Sequence, residues 1–132
     1  MFSFRRNCYI AACFCSMVSA GFVAMAQTQT DTRIEADKSY REQATALEDR
    51  YAKLLSRLPK SAKDDLIKAQ SAWTTFRDLE CDFQSSGAAG GSIQPTIRLG
   101  CLEDLTRHRL VQIKAQLDCQ EGDLSCVRWT AQ

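Results

Sequence analysis

The sequence predicts an all-α fold: a small three-helix antiparallel bundle, its hairpin stapled by two disulfides, following a cleaved signal peptide. Three observations carry this expectation. Apolar residues recur at three- and four-residue steps from Tyr40 to Leu58 and again on both sides of a Gly/Ser-rich link, and no segment alternates long enough to make a useful strand. Pro59 and the stretch Ser85–Pro95 punctuate that periodicity at two places, which cuts it into three helices. Of seven cysteines, Cys8, Cys13 and Cys15 lie in an N-terminal apolar segment, and their removal leaves an even set, Cys81, Cys101, Cys119 and Cys126.

The N-terminal segment has the build of a secretory signal. Arg5-Arg6 is a basic start, Cys8 to Ala24 is apolar and small, and Ala24-Met25-Ala26 offers a cleavage site before Gln27. The apolar run is short for a membrane span. Ile10-Ala11-Ala12-Cys13 has the look of a lipoprotein signal, but only three residues separate Arg6 from Ile10, too few for the apolar region that lipidation requires. Residues 1–26 are therefore expected to leave, and the address is periplasmic or secreted. Losing Arg5 and Arg6 moves a formal charge of +1 to about −1, which gives no electrostatic footprint for nucleic acid or anionic membranes. The remaining 106 of 132 residues form one domain, small enough that covalent staples matter.

Residues 27–32 are polar, threonine-rich and without apolar periodicity, and are expected to be a disordered lead-in to a domain spanning 33–132. The first helix begins near Arg33. Tyr40, Ala44, Leu47, Tyr51, Leu54, Leu55 and Leu58 fall in one stripe at about 100° per residue, and Arg41, Glu42, Asp49, Arg50, Lys53 and Arg57 lie largely outside it. Pro59 ends this helix.

Ser61 and Asp64 have capping-box spacing and are expected to open the second helix. Leu66, Ala69, Trp73, Phe76 and Phe83 supply its apolar face, read as core. It fades after Phe83, where Gly87, Gly90 and Gly91 make further helix costly. Pro95 precedes a third helix from about Thr96 to Leu117, with Leu102, Leu105, Leu110, Ile113 and Leu117 on its buried arc.

Four cysteines allow three pairings. An antiparallel hairpin places Cys81 and Cys101 at similar distances from the bend, and Cys119 and Cys126 are close in sequence, so Cys81–Cys101 with Cys119–Cys126 is favoured. Closing the longer loop is worth about 3 kcal/mol in the chain-entropy model.

Charged residues break the pattern of the apolar faces. With Trp73 at zero, Arg77 falls near +40° and Glu80 near −20°, both inside the apolar stripe, and Arg109 falls within the buried arc of the third helix. Such charges need partners, because an isolated buried charge costs several kcal/mol. Arg77, Asp78, Glu80 and Arg109 are thus expected to form a polar cluster, with Arg77 meeting Glu80 and Arg109 sharing Glu80 or Asp78 across the hairpin. The cluster is either a structural ion network or a cleft for a partner's carboxylate or peptide carbonyl. Gly90, Gly91, Ser92 and Arg98 form a candidate partner-contact loop, whose alternative is a plain flexible connector. Trp129 covers the terminal loop or a partner.

The order Ala69-Gln70, Trp73, Arg77-Asp78, Glu80-Cys81, Gly90-Gly91-Ser92, Cys101-Leu102, Leu105-Thr106 and Arg109 resembles the LprI-like family of small exported bacterial domains, named for a lysozyme inhibitor. The resemblance covers roughly Leu47 to Leu110. It implies an exported helical domain with a protein partner, a lysozyme by the family's name. The chain departs from many relatives in having no cysteine from Arg33 to Arg57.

Enzyme chemistry finds little footing. His108 is the only histidine and reads as a solvated side chain on a helix flank. The sequence has no metal-ligand cluster, no cofactor motif and no C-x-x-C spacing. Carboxylate pairs such as Asp78/Glu80 or Glu103/Asp104 occur in any charged helix, and a serine nucleophile lacks a base. The expectation is a non-enzymatic binding protein that occludes a lysozyme cleft with residues 85–98, or with a helix face near Arg77 and Arg98. The alternative is an assembly module of a cell-envelope complex, pairing through the apolar stripe of its first helix.

Overall fold

The computed structural model describes residues 11–120 and 122–127, with side chains from residue 28 onward. Three α-helices follow one another: α1, Ala11–Arg57; α2, Lys60–Ser85; and α3, Gln94–Leu117. A single 3-10 turn, Ser86–Ala88, follows α2, and no strand occurs among the described residues. Trp129 lies outside the described residues, as does the Arg5-Arg6 start of the expected signal.

α1 is longer than its apolar stripe predicts. It passes through the expected cleavage point at Ala26 and through residues 27–32, which are helical where a disordered lead-in is expected. No proline interrupts this stretch, and Thr32 Oγ1 donates to the Thr28 carbonyl one turn back, an internal bond that a polar helix can use. The helix ends before Pro59, whose extended backbone (φ −66°, ψ 161°) turns the chain.

Pro59 itself is the N-cap of α2, with Lys63 N–H donating to its carbonyl at 2.9 Å. The capping box expected of Ser61 does not form. α2 starts at Lys60, so Ser61 is already inside the first turn, and the Asp64 carboxylate accepts from Lys60 Nζ at 2.7 Å instead. α3 likewise starts earlier than expected, taking Pro95 into its first turn, where a missing N–H costs nothing.

Cross-chain contacts give the register. Cys81–Cys101, Asp82–Arg98 and Gln70–Arg109 step in opposite directions along α2 and α3, so these two run antiparallel. Ser92 Oγ lies 2.5 Å from Gln29 Oε1 while Ile113 packs with Leu54, so α1 and α3 run parallel. α3 packs most extensively on α1.

The core sits near the Pro59 end. Leu47, Leu54, Leu58 and Ile113 are buried, and Tyr51, Ala62, Leu66, Trp73, Leu110 and Leu117 pack against them. Each buried leucine contributes about 1.5–3 kcal/mol. The α1 stripe is therefore consumed inside the bundle, which removes the face expected to pair with another chain.

α2 corrects the sequence reading most. Leu66 and Trp73 face inward and Ala69, though exposed, borders the groove beside them, but Phe76 and Phe83 point outward, with Phe76 53% and Phe83 73% exposed. The cause is rotational. Cys81 must face α3 to pair with Cys101, and Phe83 lies about 200° round the helix from Cys81.

Candidate functional site

Trp73 is the centre of the polar cluster. The Arg77 guanidinium carbon lies 5.2 Å from its ring centroid and 5.8 Å from that of Tyr40, and Arg109 lies 5.9 Å from the Trp73 ring. Two guanidinium groups on one indole are held by its negative face. Arg77 points back along α2 toward Trp73, the direction long helical side chains prefer. It therefore leaves Glu80 and gives Nε and Nη2 bonds to Asp78 Oδ1, at 2.9 and 2.7 Å. Its side chain is only 14% exposed, so these donors face the protein.

The expected pairings with Glu80 do not occur. Glu80 accepts from Gln84 Nε2 at 2.9 Å, one turn further along α2. Arg109 finds no carboxylate among the described residues. Its Nε donates to Gln70 Oε1 and its Nη1 to Gln112 Oε1, both at 3.0 Å. Burial pushes the Arg109 pKa below its ordinary value, and the nearby Tyr51 partly opposes that shift. Arg109 also edges a groove of about 460 Å³ whose apolar floor includes Leu54, Leu58, Leu66 and Ile113, with Val127 at its rim. Tyr40, Gln70 and Gln112 were not anticipated in this cluster. Gln70 had a signal, since it stands one helical turn before Trp73 on the same face.

The hairpin end is built from turns rather than a slack link. Ala89 N–H donates to Ser86 O, Gly91 N–H to Ala88 O and Gln94 N–H to Gly91 O, at 3.0, 2.9 and 3.2 Å. Gly90 takes φ +78°, a left-handed conformation suited to glycine, and its N–H donates to Gln94 Oε1 at 3.2 Å. A Cβ at Gly91 would lie 3.1 Å from the Ala88 carbonyl oxygen. Behind the turns, Arg98 Nε donates to Asp82 Oδ1 at 2.6 Å, and Cys81–Cys101 closes the two helices. Gly90, Gly91 and Ser92 are exposed, and Arg98 is partly so.

The second disulfide joins Cys119 to Cys126, as the short spacing predicts. Within that loop Asp123 Oδ1 accepts from Ser125 N–H at 2.9 Å and from Ser125 Oγ at 2.7 Å. These bonds stabilise the carboxylate and hold the Asp123 pKa below its ordinary value. Gln116 ties the loop to α3, donating to Ser125 O at 3.2 Å and accepting from Val127 N–H at 3.1 Å. Thr106, wholly buried on α3, has a hydroxyl without a partner among the described residues.

The described residues contain no His/Cys/Asp/Glu group arranged to hold a metal, and no described helix is long and apolar enough to cross a membrane. The arrangement is suited to holding shape. Guanidinium–indole stacking, a bridged hairpin and a hydrogen-bonded tip all fix the relative position of α2 and α3.

A family model described as lysozyme inhibitor LprI matches residues 23–113 of this chain. The uncharacterized protein R02472 of Rhizobium meliloti (strain 1021) is 31% identical over 110 residues, covering 74% of this chain and 79% of that protein. No solved structure matches.

Proposed function

We propose, from the premise that this chain belongs to the lysozyme inhibitor LprI family, that it is an exported protein-binding module that blocks a lysozyme cleft with the tip of its α2–α3 hairpin. The family is one of inhibitors rather than enzymes, and the paired cysteines suit an oxidising compartment.

The observation that carries the proposal is the braced tip. Three successive turns, the Asp82–Arg98 bond and the Cys81–Cys101 bridge pre-set a convex, exposed end. A pre-set probe loses little conformational entropy on docking, which is what a projecting inhibitor loop requires. Gly90, Gly91 and Ser92 present backbone close to a partner, and Arg98, held through its Nε by Asp82, adds a pre-oriented, partly exposed guanidinium beside them. Lysozyme clefts carry a pair of catalytic carboxyl groups, so a basic, hydrogen-bonding probe is chemically apt. Arg77 is better assigned to the scaffold, since Asp78, Trp73 and Tyr40 occupy its guanidinium.

The test is turbidity clearance of bacterial cell walls by several lysozyme types, with the oxidised protein present. Inhibition that Ser92→Trp abolishes, without a change in melting temperature, supports the tip as the probe. Lack of inhibition at about micromolar protein, the range for a specific interface of ordinary size, would sink the proposal. Intact mass of the exported protein reports cleavage after Ala26 and the absence of lipid at Cys13. A second reading, an assembly module, draws on the exposed outer face of α2.

A further inference from the structure

We infer that this outer face is a docking surface for a second copy of the chain, the two α2 helices lying antiparallel about Phe76. Ala69, Ala72, Phe76, Leu79 and Phe83 are all exposed. Their spacing of three, four, three and four residues is that of a helix–helix seam, and they fall within about 80° of the helix circumference. The seam is centred about 160° from Cys81, so the disulfide that turns one face of α2 toward α3 turns this one to the outside.

With Phe76 53%, Leu79 64% and Phe83 73% exposed, the strip leaves on the order of 350 Å² of apolar surface uncovered. That is about the size of the largest apolar patch on a typical monomer, and such patches are often functional. Among the described residues nothing covers Ala72, Phe76, Leu79 and Phe83, while Ala69, at one end of the strip, also borders the groove shared with α1 and α3.

The seam is complementary to itself in size and in charge. Antiparallel pairing with a two-fold axis at Phe76 sets the small Ala69 opposite Phe83 and the small Ala72 opposite Leu79. Each bulky side chain then enters a space that a small one leaves. The same register brings Lys68 beside Asp82, whose Oδ1 already accepts from Arg98, on both sides of the axis. Lys68 is available for this, since its ion pair with Asp65 is long, at 3.8 Å, and both side chains are highly exposed. Antiparallel packing also brings the acidic end of one α2, with Asp78, Glu80 and Asp82, toward the positive N-terminal end of the other. A parallel pair would set Lys68 against Lys68, Asp82 against Asp82 and bulk against bulk. The complementarity is thus isologous, as a two-fold dimer requires. Strips of this size from two copies bury on the order of 700 Å² together, less than a stable complex of standard size, so the dimer is a weak, transient one.

Sedimentation velocity on the full-length oxidised protein, in the absence of any lysozyme, tests this. A monomer–dimer equilibrium is expected, with Phe76→Asp raising the dissociation constant more than tenfold. The circular-dichroism melt of that variant should match the parent, because Phe76 is outside the core. A photocrosslinking residue in place of Ala72 should join a second copy at positions 79–83, and one in place of Ile67, on the opposite side of α2, should not. A monomer at every concentration up to about 0.5 mM, where even a weak dimer would be populated, overturns the proposal. So does a dimer that Phe76→Asp leaves unchanged, or a crosslink to another protein or to other positions. The readout is independent of whether the hairpin tip inhibits a lysozyme.

Discussion

Arg109 Nε donates to Gln70 Oε1 at 3.0 Å, a bond from α3 to α2 in which a half-buried guanidinium is held by an amide rather than by a carboxylate. The cation leaves no buried anion behind if it is removed. Arg109→Met should therefore cost less than about 1 kcal/mol, with the methionine filling part of the groove edge. Arg77 differs, because its side chain, only 14% exposed, contacts two aromatic rings as well as Asp78. Arg77→Ala should cost about 1–2 kcal/mol from lost stacking and charge-assisted bonds. Urea denaturation of the two variants checks the order, and equal losses would show that the Tyr40 contact and the Asp78 bonds are not what separates them.

The two disulfides should differ in both accessibility and worth. Cys81 is wholly buried, whereas Cys119 and Cys126 are both partly exposed. Native-state reduction with a dithiol, followed by alkylation and mass mapping, should open Cys119–Cys126 first and leave Cys81–Cys101 intact until the protein unfolds. Replacing Cys81 and Cys101 together by alanine should lower stability by about 3 kcal/mol, and replacing Cys119 and Cys126 by somewhat less.

Helix number, helix order and cysteine pairing were legible because each rests on local chemistry: Pro59, the glycines of the hairpin end, and cysteine spacing. The rotation of α2 was harder to read, because the helix carries apolar residues on two faces. Trp73 and Phe76 look like neighbours on a wheel, and only the direction of Cys81 separates an inward face from an outward one. Arg77, Glu80 and Arg109 read from the sequence as charges inside an apolar arc, but their partners depended on side-chain direction. Arg77 turns toward Trp73 and so away from Glu80, and Arg109 meets Gln70, whose neutral amide gave no charge-pairing signal. The lead-in at 27–32 has no apolar pattern, and nothing local indicated that α1 continues through it.

The two faces of α2 and the α1 stripe give opposite expectations for core substitutions. Leu54 is 2% exposed and packs in the main cluster, so Leu54→Ala should cost about 2–5 kcal/mol. Phe83→Ser removes a larger side chain, yet one that is 73% exposed, and should change stability by no more than about 0.5 kcal/mol at dilute protein. Thermal melts at low concentration check both. A large loss for Phe83→Ser would mean that the outer face of α2 is covered within the monomer.

The terminal loop carries a pH dependence whose sign follows from Asp123. Its carboxylate accepts two bonds from Ser125, which favours the charged form and lowers the folded-state pKa beneath the ordinary 3.8. A depressed carboxylate pKa adds stability that is fully present above 3.8 and is lost as pH falls through the lower folded value. The loop should therefore keep its geometry at neutral and mildly acidic pH and loosen only below the ordinary carboxylate range. Carbon-detected NMR titration of the Asp123 carboxyl should give a midpoint below 3.8, and Ser125→Ala, which removes the hydroxyl but keeps the N–H, should bring it partway back. A parent midpoint at or above 3.8 would mean that Ser125 does not hold the carboxylate in solution, and that the Gln116 contacts to Ser125 and Val127 alone order the loop.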